Sequence, residues 1–180
     1  MKALCWQGVD ELTVEQVPDP GIMNAQDAIV KVIASTTCGS DLHLLGGYIP
    51  MMKSGDVIGH EFIGEVVEVG SEVRRRRPGE RVVVCSIIGC GRCWPCRHDM
   101  WSLCENSNPT AGITDLLWGG STAGIYGYSH AMGGFRGSHA EYIRVPFADH
   151  NAFPVPDDVD DMDALFASDA VPTGWMAPTS

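Results

Sequence analysis

The 180-residue sequence lacks long apolar runs and any recognisable targeting segment. No stretch approaches the roughly 18 apolar residues that a membrane-spanning helix needs. The N-terminus, MKALCWQGVDELTVEQ, has neither the apolar core nor the small-residue cleavage site of a secretory signal. The sequence therefore predicts a soluble, cytoplasmic protein, a compartment in which clustered cysteines are more often metal ligands or catalytic groups than disulfides.

Positive charge is also scarce. The chain carries 12 Lys and Arg residues against 23 Asp and Glu residues, a formal net charge of −11. This balance argues against nucleic acid and against an anionic membrane surface as partners. Four consecutive arginines at 74–77 are a local exception, and because Pro78 and Gly79 follow them, they are typical of a solvated loop.

A third absence concerns dinucleotide binding. In a sequence, the fold that binds NAD is recognised by a strand, the fingerprint G-x-G-x-x-G and a helix, in that order. The single G-x-G of the sequence begins the stretch GCGRCW at 89–94, inside a cysteine-rich segment. It does not fit the fingerprint, so no cofactor-binding residue is identified.

What is present is a series of short β-type runs separated by Gly, Pro, Asp or Asn. They lie at 2–6, 12–17, 27–35, 62–70, 81–87 and 140–146. Such runs predict a mainly β fold, either a sandwich or a barrel. The segment 106–137 indicates loops with one short helix, and the last thirty residues indicate a capped helix that leads into a turn of small residues.

Four of the seven cysteines fall within fifteen residues with the spacing C-x2-C-x2-C-x7-C: Cys90, Cys93, Cys96 and Cys104. Disulfides between such close neighbours would be strained. A redox pair of Cys93 and Cys96 is the rival interpretation, but it usually needs a βαβ setting. The spacing favours a tetrahedral zinc site, which would be closed and structural.

A second group of metal-binding residue types lies outside this lobe. Cys38, Ser40, Asp41 and His43 directly follow a predicted strand, and His60 and Glu61 stand at the edge of another. The remaining cysteines and histidines show no pattern that indicates a partner, and a buried apolar or core position is the simpler interpretation for them. They are Cys5, Cys85, His98, His130, His139 and His150.

The stretch GHEFIGEVVEVGSEV fits the pattern G-H-E-x2-G-x5-G-x2-V, and the chain resembles the zinc-dependent medium-chain alcohol dehydrogenases. CGSDLH, the four-cysteine segment, PGERV at 78–82 and GGFRGSHAEYIRVP at 133–146 carry the same resemblance. It implies a GroES-like, partly open β-barrel over residues 1–155, with a loop-held structural zinc lobe at 88–106 and a few short helices. Residues 156–180 would form a helix and a crossing segment toward a Rossmann cofactor domain that this chain does not contain.

Residue by residue, the resemblance implies two Zn²⁺ ions per chain. Cys38 and His60 would bind a catalytic zinc, and Asp169 would be the third ligand, in the place where many members have a cysteine. From the sequence alone, Asp169 could equally be a helix cap. Glu61 would be a carboxylate able to approach the metal, and Asp41 would orient His60. The alternative for both residues is an ordinary surface acid. A proton relay would run from the substrate through Ser40 toward His43.

The implied function is hydride transfer between small alcohols or aldehydes and NAD or NADP, with a homo-oligomer compatible with the sequence. SDAVPTGW, NSNP, GYSH and VPFAD resemble most the glutathione-independent formaldehyde dehydrogenases and dismutases, which keep Asp in the third-ligand place. For lack of a nicotinamide site, we expect the isolated chain to be inactive. The alternative is a non-catalytic, zinc-stabilised binding or assembly module with one metal ion, which the missing fingerprint favours and the CGSDLH and GHE clusters oppose.

Overall fold

The computed structural model describes residues 1–176 and is built on one five-stranded antiparallel sheet. Its strands are β3 (Ala28–Thr36), β5 (Glu61–Val69), β6 (Arg81–Val84), β9 (Tyr142–Val145) and β10 (Ala152–Pro154), in the order β10-β6-β5-β3-β9. The ladder between β3 and β5 is interrupted by irregularities between Ile29 and Val30 and between Val32 and Ala34, which bend the two strands.

Two smaller antiparallel sheets flank it. One joins β1 (Lys2–Gly8), β2 (Glu11–Gln16) and β4 (Asp56–Val57), and the other pairs β7 (Ile87–Ile88) with β8 (Gly124–Ile125). The helices are short: α1 (Gly39–Leu45), α2 (Trp94–Arg97), α3 (Ala111–Trp118), α4 (Ala148–Asn151), α5 (Asp161–Leu165) and α6 (Ala170–Met176). Single 3-10 turns lie at Trp101–Leu103, His130–Met132 and Phe166–Ser168.

The beginning of β5 is covered on both faces, and residues 61–64 are buried without a break. On one face, Phe62 packs edge-on against Tyr126 inside the main core. On the other face, Ile63 packs in a second cluster that contains Val83 and Leu165, the last residue of α5. Glu61, and His60 directly before it, therefore lie at the packed, buried end of this strand.

The predicted mainly β fold with a few short helices is confirmed. Within residues 1–176 the sheets remain open, and no ladder between strands is parallel, so the described chain contains no βαβ unit. The same residues include no helix long and apolar enough to cross a membrane. The predicted division of the chain into a domain at 1–155 and a crossing segment at 156–180 stays a prediction. The last four residues of that segment, 177–180, lie outside the described part.

Two segments differ in detail from the sequence-based expectation. The segment 106–137 holds α3, but also β8 and a 3-10 turn. The predicted C-terminal helix has a cap, Asp160, whose carboxylate accepts the N–H of Met162 at 2.8 Å, but it is divided into α5, a 3-10 turn and α6. The division falls at Asp169, whose φ of −152° and ψ of −57° are not helical.

Candidate metal centres

The four clustered cysteines bring their sulfur atoms together in a buried group. All four Sγ atoms lie within 4.8 Å of one another, with Cys90 and Cys96 4.0 Å apart and Cys93 and Cys104 3.9 Å apart. A disulfide needs about 2.05 Å, and all four thiols are free. Tetrahedral zinc at about 2.3 Å from each sulfur places the sulfurs about 3.8 Å apart, so the arrangement fits zinc.

Local turns present these sulfurs to one another. Cys93 precedes the short helix α2 and Cys96 lies within it, while Cys104 follows a 3-10 turn. Cys90 Sγ accepts N–H bonds from Cys93 at 3.3 Å and from the Asn106 amide at 3.3 Å. Backbone and amide donors that point at sulfur are what a buried thiolate requires.

Three of these thiols have shifted pKa values. Burial raises the pKa of Cys90, but the N–H donors of Arg92, Asn106 and Cys93 outweigh it and lower that pKa to about 6. For Cys96, burial and the neighbouring thiols raise the pKa, and burial likewise raises the pKa of Cys104. Four thiolates at these distances need a cation among them to ionise together.

The second group is assembled from segments far apart in the sequence. Cys38 precedes α1, Glu61 begins β5, and His60 directly precedes that strand. Their ligand atoms lie within 4.8 Å of one another, and both His60 and Glu61 are only 3% exposed. Sulfur, imidazole and carboxylate ligands with few water contacts are the donor set of a transition-metal site.

Asp41 positions two members of this group. One of its oxygens, Oδ2, accepts the N–H of Cys38 at 2.9 Å and so caps α1. The other, Oδ1, lies 3.5 Å from Nδ1 of His60, and both of these atoms are buried without a hydrogen bond in the described structure. A small rotation of the imidazole pairs them and leaves Nε2 for a metal ion.

The electrostatic environment of His60 favours positive charge. Burial lowers the pKa of His60, but the Asp41 carboxylate and the Cys38 sulfur outweigh burial and raise it to about 9. An environment that stabilises an added proton in this way also stabilises a metal cation at Nε2. The donor set and its charge therefore fit zinc.

Asp169 approaches the same nitrogen from the C-terminal part of the chain. Its Oδ2 lies 3.9 Å from His60 Nε2, and its Oδ1 accepts the Thr173 hydroxyl at 2.5 Å. The compact group itself contains Glu61 rather than Asp169. The assignment of Asp169 as third ligand therefore remains a prediction, with the carboxylate close enough to reach a metal ion by a small movement.

Ser40 and His43, the predicted relay residues, lie on α1 beside this group. The Ser40 hydroxyl is 3.2 Å from His60 Nε2. His43 follows three residues later, near the outer surface, with its ring edge-on to Tyr48 at 6.0 Å. The two side chains thus run from the buried centre toward solvent.

Some structural partners carried no sequence signal. Tyr128 stands edge-on to His60 with ring centroids 6.5 Å apart, and burial, Asp41 and Cys38 raise its pKa. Its placement depends on Gly127, whose φ is +54° and where a Cβ would lie 2.3 Å from the Gly59 carbonyl oxygen. The spacing of residues along the sequence does not reveal the backbone contact between Gly59 and Gly127. Tyr128 does, however, belong to the GYSH motif at 127–130.

The histidines for which the sequence indicates no partner do have partners in the structure. His130 Nε2 pairs with Asp56 at 3.0 Å, and His139 Nδ1 lies 2.9 Å from the Ser35 hydroxyl. His150 packs edge-on against Trp101, and His98 stacks on Trp94. Cys5 is buried with Ala3 and Val57, as an apolar core residue would be.

Comparison with known proteins places these geometries in context. The alcohol dehydrogenase GroES-like domain family matches residues 24–157. An uncharacterised zinc-type alcohol dehydrogenase-like protein of Bacillus subtilis, AdhB, is 41% identical over 98% of this chain and 45% of its own length. Formaldehyde dismutase of Pseudomonas putida is 35% identical over 97% of this chain and 43% of its own.

A solved structure with a similar fold comes from the same group of proteins as the sequence relatives. Alcohol dehydrogenase TADH from Thermus sp. ATN1 superimposes with a TM-score of 0.86 at 35% identity, covering 97% of this chain and 46% of the solved chain. The chain spans less than half the length of these relatives. The matched residues include Cys38, His60, Glu61 and the four-cysteine lobe, and the chain belongs to the alcohol dehydrogenase GroES-like domain family.

Proposed function

We propose that this chain is the zinc-binding catalytic domain of an NAD(P)-dependent oxidoreductase that acts on small alcohols or aldehydes. The observation that carries the proposal is the convergence of Cys38, His60 and Glu61, whose ligand atoms lie within 4.8 Å of one another, with Asp169 Oδ2 3.9 Å from His60 Nε2. Zinc bound there would supply Lewis-acid polarisation of a substrate oxygen. We further propose two zinc ions per chain, the second held by the four cysteines.

The chain's own residues would bind, orient and move protons. Cys38, His60 and Asp169 would hold the catalytic zinc, with Glu61 as a nearby alternative carboxylate. Asp41 would fix the His60 ring through Nδ1. The Ser40 hydroxyl, which both donates and accepts, would take the proton of the substrate hydroxyl and pass it toward His43, whose exposed imidazole exchanges it with water.

Within this class, we propose formaldehyde or a similarly small aldehyde as substrate. Two points support this choice: the sequence resembles the formaldehyde branch, whose members keep Asp where Asp169 is predicted to be the third ligand, and a formaldehyde dismutase is among the relatives. The seven free thiols support a reducing, cytoplasmic location.

Cobalt substitution tests the metal proposal. A zinc-binding chain reconstituted with Co²⁺ should show visible bands from both centres, and imidazole should perturb only the centre with an open coordination position. We expect imidazole to change the spectrum of the wild type and to leave that of Cys38→Ser unchanged. A wild-type spectrum insensitive to imidazole would contradict the proposal and favour a non-catalytic module with one closed site.

A further inference from the structure

A cavity of about 540 Å³ lies outside both metal groups. Three segments form most of its lining: the extended stretch around Pro18 to Met23, the turn from Gly133 to Arg136, and the beginning of β9 from Tyr142 to Arg144. Its volume falls within the usual range of small-molecule sites, roughly 300–1,000 Å³. No lining residue belongs to either metal group.

The walls are largely apolar and firmly held. Pro18, Pro20, Met23, Pro109, Phe135 and Ile143 contribute to them. Phe135 is fixed from behind by Tyr126, with ring centroids 6.4 Å apart, and Ile143 is only 2% exposed. Gly133 and Gly134, with φ of +94° and +61°, supply the left-handed turn that places Phe135 there. The cavity walls are therefore held in place by packing against the hydrophobic core.

Among the described residues, one cationic group at this cavity has no carboxylate partner. Arg144 donates to the buried Asp27 carboxylate at 3.0 Å and lies over the Phe135 ring. Asp19 pairs with the N-terminal ammonium group at 2.6 Å. Arg136 donates to the Pro18 carbonyl at 3.0 Å and, within residues 1–176, forms no ion pair with a carboxylate. The lining thus combines apolar walls with one uncompensated guanidinium.

We propose that this cavity binds a small amphipathic carboxylate, with the apolar body against Phe135 and the exposed Met23 and the carboxylate on Arg136. A guanidinium binds a carboxylate through two parallel N–H bonds, and Arg136 has donors beyond the one committed to Pro18. The net charge of −11 would otherwise repel anions. A local cationic group at an apolar cavity would offset this repulsion for an anion that also has an apolar body.

Calorimetric titration of the zinc-bound chain with butanoate, hexanoate and octanoate tests the proposal. If the alkyl tail enters the apolar cavity, affinity should rise about fourfold for each added methylene. A flat series would show a surface ion pair without insertion and would overturn the proposal. Failure of the wild type to bind octanoate at millimolar concentration would overturn it as well.

Three variants separate this cavity from other anion sites. Arg136→Gln should weaken octanoate at least tenfold, and Arg136→Lys should restore part of the affinity because it keeps the charge. Arg97→Gln is the matched control, since Arg97 also donates to a single backbone carbonyl, that of Arg92, outside the cavity. Thermal unfolding of each variant verifies that the fold is intact.

Cys38→Ser distinguishes the cavity from the proposed catalytic zinc, to which a carboxylate also binds. Octanoate affinity should be unchanged in this variant. If affinity is lost in Cys38→Ser and retained in Arg136→Gln, the ligand binds the metal ion and the cavity proposal is wrong. If Cys38→Ser shows no metal loss but Arg136→Gln loses octanoate, the cavity proposal stands while the proposed function fails.

Discussion

Asp169 and His60 come from distant parts of the chain, yet Oδ2 of Asp169 lies 3.9 Å from Nε2 of His60. The orientation of this carboxylate depends on Thr173, one helical turn later, whose hydroxyl occupies the other oxygen. Asp169 therefore joins the C-terminal helix to the beginning of β5, and its neighbours offer direct tests.

Thr173→Val should weaken metal binding at the Cys38 and His60 centre by about tenfold, because groups that orient a ligand typically contribute 10- to 100-fold in metal affinity. Competition with a chromophoric chelator measures this. Thr13→Val, on β2, is the control and should have no effect, since the Thr13 hydroxyl donates to a carboxylate outside the centre, that of Glu15, at 2.9 Å. An unchanged affinity in Thr173→Val would show that Asp169 does not depend on this hydrogen bond for its role.

Gly127→Ala should destabilise the fold by at least about 3 kcal/mol, because a methyl group there meets the Gly59 backbone at 2.3 and 2.5 Å. Gly79→Ala is matched in backbone conformation, with φ of +86°, but a Cβ there meets nothing within 4 Å. It should cost about 1 kcal/mol from left-handed strain alone. Urea unfolding of both variants compares them, and equal losses would contradict the glycine contact.

Tyr126→Phe should leave the free energy of unfolding within about 0.5 kcal/mol of wild type, or raise it. The Tyr126 side chain is fully buried, and its hydroxyl has no hydrogen-bond partner in the described structure. Burial accordingly raises the pKa of this phenol. Chemical denaturation measures the change. A loss above about 1 kcal/mol would indicate that the hydroxyl is bonded to a buried water molecule.

His139 should make the fold less stable in acid. Burial lowers the pKa of His139, with Asp41 partly opposing this and His60 reinforcing it. The unfolded chain, with a His pKa near 6.5, then binds the proton more readily than the folded chain. Stability is thus complete above about pH 6.5 and falls as the pH drops toward the lowered pKa.

His139→Gln tests this directly, because glutamine keeps a hydrogen-bonding group near Ser35 without a titrating proton. The free energy of unfolding, measured from pH 7.5 to 5, should fall less steeply in the variant than in wild type. Parallel curves would mean that His139 does not contribute to the acid sensitivity.

The sequence alone predicts the four-cysteine centre, whereas the second centre could be predicted only from the resemblance to a known family. The four-cysteine lobe is local, so spacing alone indicates a tetrahedral thiolate site. Cys38, His60 and Asp169 lie on separate segments, and only resemblance to a known family connects them. Tyr128 and Thr173 were not predictable, since Gly59–Gly127 backbone packing and a helix-borne hydroxyl depend on tertiary contacts. The division of the C-terminal helix at Asp169 has the same origin.

The central claim is that the chain holds two zinc ions in two independent centres. Elemental analysis per chain, on protein purified without chelator or added metal, tests it most directly. We predict two zinc ions in wild type, one in Asp169→Ala, and one in Cys38→Ser. A single zinc ion in wild type, unchanged by Asp169→Ala and Cys38→Ser, would leave only the four-cysteine lobe occupied and would contradict the account.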